Sequence, residues 1–210
     1  DVEALEVAGA PASAVGDFRD KAGPPPFAYV LFWDTPSMGR SAFADAVKEG
    51  IDESYNVLVA DMGFVGPQGT ITVVVGSHPK PKWLGAVAHD DNQTIRLTHV
   101  LKTQDQVKKV VAHEYFHLIQ NLNNNETSIL GYWDEDIWFL EGSADWACDE
   151  VFDGVIGHYH PTRWLRFENR LNQSGAKNNG EYETVGFWKW AESLREGTVR
   201  KMVGHKYLLT

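Results

Sequence analysis

Cysteine is nearly missing from this chain: Cys148 stands alone, so no disulfide can close within it. Both reducing and oxidising compartments stay open on that count, and a lone thiol reads as a small buried residue. No apolar run is long enough to cross a membrane. Basic residues are scarce beside acidic ones, 19 Lys and Arg against 29 Asp and Glu, for a net charge of −10. Nucleic acid and anionic membrane surfaces select basic patches, so neither is an expected partner. The glycine-rich stretch from Gly63 to Gly69 lacks the spacing and trailing lysine of a P-loop and reads as a turn. A chain of 210 residues is long enough to bury one good core, or a small two-lobed unit.

Against these absences stands His113-Glu114-Tyr115-Phe116-His117. On a helix, residues i and i+4 lie nearly one above the other, so both imidazoles point the same way at a spacing that can hold one metal ion. Glu114 sits roughly 100° around the axis, from where it can reach a metal-bound water without being a ligand. Thr103 and Gln106 form a capping box ahead of Val107, Val110, Val111, Ala112, Phe116, Leu118 and Ile119. Apolar residues on nearly every side predict a buried helix, in which two imidazoles need partners. Two histidines remain one ligand short of a hydrolytic zinc site. The segment Trp138-Phe139-Leu140-Glu141-Gly142-Ser143-Ala144-Asp145-Trp146 also reads as a helix and offers Glu141 as the third. Asp145, at i+4 from Glu141, falls on the same face. There it can accept the free N–H of a liganding histidine and fix its tautomer.

HEYFHLIQ followed by WFLEGSADW resembles the gluzincin metallopeptidases, whose pattern is HExxH with a glutamate ligand on a second helix. The resemblance covers about residues 70 to 150. It implies that His113, His117 and Glu141 hold Zn2+, that Glu114 is the general base, and that Asp145 orients a zinc histidine. The metzincin pattern needs a third histidine shortly after the helix, and Gln120 to Asn125 contains none. In gluzincins an edge strand beside the cleft binds extended substrate, and the resemblance assigns Gly85, Ala86 and Val87 to that strand. Family aminopeptidases carry Gly-Ala-Met-Glu-Asn there, whose glutamate holds the substrate's amine. This chain has Gly85-Ala86-Val87-Ala88-His89, which favours endopeptidase over aminopeptidase action. For the oxyanion donor, Tyr182 resembles the tyrosine opening a lower-lobe helix in family aminopeptidases. Tyr159, His158 and His160 are the other candidates.

Along the chain, residues 1–26 read as a flexible or extended arm without periodicity, containing Pro24-Pro25-Pro26. Phe27 to Trp33 suits a strand. Phe43, Val47, Ile51, Tyr55 and Leu58 recur at helical spacing and predict a helix from about Ser41 to Val59. Thr70 to Val75 is a β-branched strand, and Leu84–Ala88 with Thr94–Val100 predict a hairpin. The site helix follows, and helical spacing returns at Phe187, Trp188, Trp190, Ala191 and Leu194. The expected fold is α+β and zincin-like: a mixed, mostly parallel sheet with an antiparallel edge strand packed on helices, then a small helical lower lobe. Its expected division is an arm over 1–26, an upper lobe over 27–122 and a lower lobe over 123–210.

The expected function is a zinc-dependent peptidase acting on a peptide or protein substrate. Two other readings stay open. One is a catalytically silent relative that keeps the zinc. The other is a binding module for carbohydrate, suggested by eight tryptophans that also read as ordinary core. The start at Asp1 fits a removed export signal or a trimmed chain, which tilts localisation towards export without fixing it. Asn-x-Ser/Thr sites at Asn92, Asn125 and Asn172 matter only in a eukaryotic secretory route.

Overall fold

The computed structural model describes residues 13–17, 27–77, 84–87, 93–123, 137–152 and 185–204. Its centre is a five-stranded sheet of β1 (Ser13–Asp17), β2 (Phe27–Phe32), β3 (Thr70–Gly76), β4 (Gly85–Val87) and β5 (Thr94–Thr98), in the order β1-β2-β3-β5-β4. The middle strands β2, β3 and β5 run parallel, with Phe27 opposite Thr70 and Thr72 opposite Thr94. Both edge strands are antiparallel to their neighbours. Parallel neighbours need a crossover, and helix α1 (Arg40–Ser54) supplies it between β2 and β3. The protein is therefore a mixed α and β fold.

β1 falls inside the stretch expected to be an arm, where it pairs with β2 and closes one edge of the sheet. Strand pairing is made by backbone groups, so a segment without side-chain periodicity can still join a ladder. At the other edge β4 pairs antiparallel with β5, as expected of these two strands. On one face of the sheet Ala28, Val30 and Phe32, then Ile71, Val73 and Val75, then Ile95 and Leu97 are all buried. Phe43, Val47 and Ile51 of α1 cover them. Beyond Ser54 the α-helix gives way to a π-helix, Tyr55–Asp61, where an α-helix to Val59 was expected. The buried Ser54 hydroxyl donates to the Gly50 carbonyl at 2.6 Å, which competes with the helical ladder just where the pitch changes.

Helix α2 (Gln104–Asn123) lies along α1, and Gly50 sets how closely they approach. A Cβ there would sit 2.9 Å from the Val111 side chain and 3.1 Å from the Lys108 carbonyl. Half of the capping box is formed, with Gln106 N–H donating to Thr103 Oγ1 at 3.2 Å, while Gln106 Oε1 accepts from the N–H of Lys102, one residue before the cap, at 2.9 Å. Helix α3 (Ile137–Val151) packs on α2 through Trp146, whose ring meets Phe116 at 6.0 Å and Phe64 at 6.5 Å. Two further helices, α4 (Val185–Leu194) and α5 (Thr198–Gly204), lie beyond α3. Trp188 of α4 stacks edge-on against Phe139 at 4.9 Å. Arg200 of α5 donates to the Met62 carbonyl at 2.9 Å, tying α5 to the end of the π-helix. Most of the buried apolar residues form one cluster from the sheet through to Val199 and Val203. Among the described residues no helix is long and apolar enough to cross a membrane.

Candidate metal centre

His113 and His117 stand on successive turns of α2, facing α3 and partly shielded from solvent. Their Nε2 atoms lie 3.0 Å apart. Glu141 of α3 places Oε2 at 3.1 Å from His113 Nε2 and Oε1 at 3.7 Å from His117 Nε2. Tetrahedral zinc, with bonds of ~2.0–2.1 Å, sets its ligand atoms about 3.3 Å apart, so this triangle has a suitable size. Among the described residues no other trio of His, Cys, Asp or Glu converges in this way. Each imidazole is held from behind. His113 Nδ1 donates to Asp145 Oδ1 at 2.8 Å, and His117 Nδ1 lies 2.7 Å from Gln120 Oε1. Both backing contacts turn Nε2 towards the centre, as metal-binding histidines require.

The electrostatics also draw positive charge to this point. Burial disfavours a charged His113, yet its hydrogen bonds to Asp145 and Glu141 outweigh that and hold the ring well above its ordinary value. His117 is raised as well, because Glu141 overcomes the same burial. Burial works against ionised Glu141, but His117 and His113 carry its carboxyl well below the usual range. Two imidazoles that hold protons readily beside a carboxylate that stays ionised are a donor set suited to a divalent cation. Glu114 is buried beside them without belonging to the trio. Burial raises its carboxyl, partly offset by the two histidines.

Strand β4 runs past Glu114 at very close range. A Cβ built on Gly85 would lie 2.5 Å from Glu114 Oε1 and 2.7 Å from Val110, so only glycine leaves that carboxylate in place. Ala86 and Val87 continue the strand opposite Arg96 and Ile95, at the edge of the sheet.

A family model described as a family of unknown function, DUF6055, matches residues 30–198, which span most of the chain. The chain belongs to DUF6055. No curated protein and no solved structure matches this chain. In this DUF6055 protein His113, Glu114, His117, Glu141 and Asp145 all fall inside the matched span, as do Gly85, Ala86 and Val87. Tyr182, with Tyr159, His158 and His160, lies outside the described residues, as do Asn92, Asn125 and Asn172. Cys148 is buried, its thiol pushed up to about 12 by burial, and it donates to the Lys109 carbonyl at 3.4 Å. Sequence reasoning missed Gln120 and Ser143. Gln120 sits at i+3 from His117 on an otherwise apolar, buried helix face, and that spacing was the available signal.

Proposed function

We propose that this DUF6055 protein is a zinc-dependent peptidase of gluzincin type on a zincin-like fold, with peptides or proteins as substrates. One observation carries the reading: His113, His117 and Glu141 converge from two helices at metal-ligand spacing while Glu114 stays beside them, buried and outside the trio. When bound, zinc supplies Lewis acidity towards a water and a carbonyl oxygen.

The chain's own groups do the rest. His113 and His117 offer Nε2, with Nδ1 engaged elsewhere, and Glu141 adds a carboxylate oxygen. Glu114 takes a proton from the attacking water and returns it to the leaving amine, a role helped by burial raising its carboxyl towards neutrality. β4, at the sheet edge next to Glu114, offers backbone groups to which an extended substrate can add as a further strand. The absence of a glutamate in Gly85-Ala86-Val87-Ala88-His89 favours endopeptidase action.

Incubation with a peptide library tests the reading: cleavage should occur, stop with a chelator and return with zinc. Glu114→Gln should keep zinc bound while hydrolysis falls by at least about a hundredfold. Bound zinc without cleavage by the wild type would point to a silent relative. No bound metal on elemental analysis would leave the tryptophan-rich binding module.

A further inference from the structure

Gln120 makes three contacts that together leave its amide a single orientation. Its Nε2 lies 2.9 Å from the Leu140 carbonyl and 2.8 Å from Ser143 Oγ, both on α3, and its Oε1 lies 2.7 Å from His117 Nδ1. A backbone carbonyl can only accept. The Ser143 hydroxyl spends its one proton on the Phe139 carbonyl at 2.6 Å, so towards Gln120 it can only accept too. The amide end facing α3 must therefore be the NH2 group. Turning the side chain over would set oxygen against oxygen at both contacts, in a place where Gln120 and Ser143 are fully shielded from water. With the NH2 end fixed, Oε1 faces His117, and an oxygen facing Nδ1 requires that Nδ1 carry the proton.

We infer that the Leu140 carbonyl, acting through Gln120, sets the His117 tautomer, making Gln120 a positioning residue that presents the Nε2 lone pair to the metal. The metal half of this inference rests on the zinc reading above; the tautomer half does not. The two histidines are thereby held in different ways, His113 by the carboxylate of Asp145 and His117 by a neutral amide. The relay also runs through the helix that carries Glu141, because Leu140 and Ser143 flank that ligand in sequence. One hydrogen-bonded chain thus sets the aim of His117 against the backbone that delivers Glu141.

The test is a long-range proton–nitrogen correlation spectrum of the imidazoles in the zinc-loaded wild type, with zinc affinity measured by competition against a chromophoric chelator. His117 should bind through Nε2 and keep a slowly exchanging Nδ1–H; ligation through Nδ1 would overturn the inference without any variant having to fold. Gln120→Leu should lose that Nδ1–H signature and bind zinc about 10–100-fold more weakly. Unchanged affinity and spectrum in Gln120→Leu would also overturn it. Gln120→Glu, once ionised, keeps an oxygen for His117 but sets a second one without a proton against the Leu140 carbonyl, so at a pH where that carboxyl is ionised it should not restore wild-type affinity. Full restoration would show that His117 needs only an acceptor, and the carbonyl's role would be lost. A wild type that takes up no zinc sinks the metal reading instead. The neutral, metal-free His117 ring then decides the tautomer, which the relay still requires to be Nδ1–H.

Discussion

Gly85 is the residue at which the sheet and the site meet. The space its missing side chain leaves is taken by Glu114 Oε1 and Val110. Gly85→Ala should therefore displace the Glu114 carboxylate while leaving His113, His117 and Glu141 untouched. On the proposed function, hydrolysis should fall by about 10–100-fold with zinc retained, because a base moved by roughly an ångström loses its geometry. Metal analysis and peptide turnover on the same preparation check this; full turnover in the variant would remove Glu114 from the base role or Gly85 from its side. At this scale most side chains of the candidate site were legible in the sequence. His113, Glu114 and His117 are fixed relative to one another by helical spacing alone, and Glu141 with Asp145 by the same rule on the next helix. Gln120 was not, since its role depends on which groups of α3 face it, and no local spacing specifies them.

Helix α2 carries two of the three ligand-type side chains and the candidate base, so its start matters to all of them. Thr103 Oγ1 accepts the Gln106 N–H, satisfying one of the donors that a helix leaves bare at its first turn. Thr103→Ala should lower stability by about 1 kcal/mol, measured by urea unfolding, while zinc stoichiometry stays unchanged because the cap lies more than two turns from His113. A loss of bound zinc in the folded variant would contradict the separation of cap from site. The cap, β2, β3 and the β4–β5 hairpin follow local patterns and could be read from the sequence. Two elements could not. The change from α1 to a π-helix follows Ser54, whose buried hydroxyl takes the Gly50 carbonyl, a contact that turns on Ser54 being packed inward. The pairing of β1 is made by backbone groups with β2, and no side-chain period announces it.

Across the whole molecule the site is a junction between two helices, His113 and His117 on α2 and Glu141 on α3. A metal bound there ties them together only in the folded state, so zinc should stabilise the protein by about 2.7 kcal/mol at a hundred times its dissociation constant. In a chain of this size that should raise the melting temperature by roughly 5–10 °C, lost on adding chelator. The gain should grow with pH. His113 holds its proton well above the ordinary imidazole value, and that proton must leave before the metal binds. Apparent zinc affinity should therefore keep rising as pH climbs past about 6.5, where an ordinary histidine would already be deprotonated. Thermal scans with and without zinc at several pH values check both points; a zinc-independent melting temperature would argue against the site. The sequence by itself determined which side chains share a helix face, because 3.6 residues per turn is a local rule that needs no partner. It also set the apolar surround that makes α2 a core helix. Only the tertiary structure decided that the faces of α2 and α3 meet, that Gly85 admits Glu114, and that the Leu140 carbonyl reaches His117 through Gln120. Those contacts join residues far apart in the chain, and packing of the whole core fixes their distances.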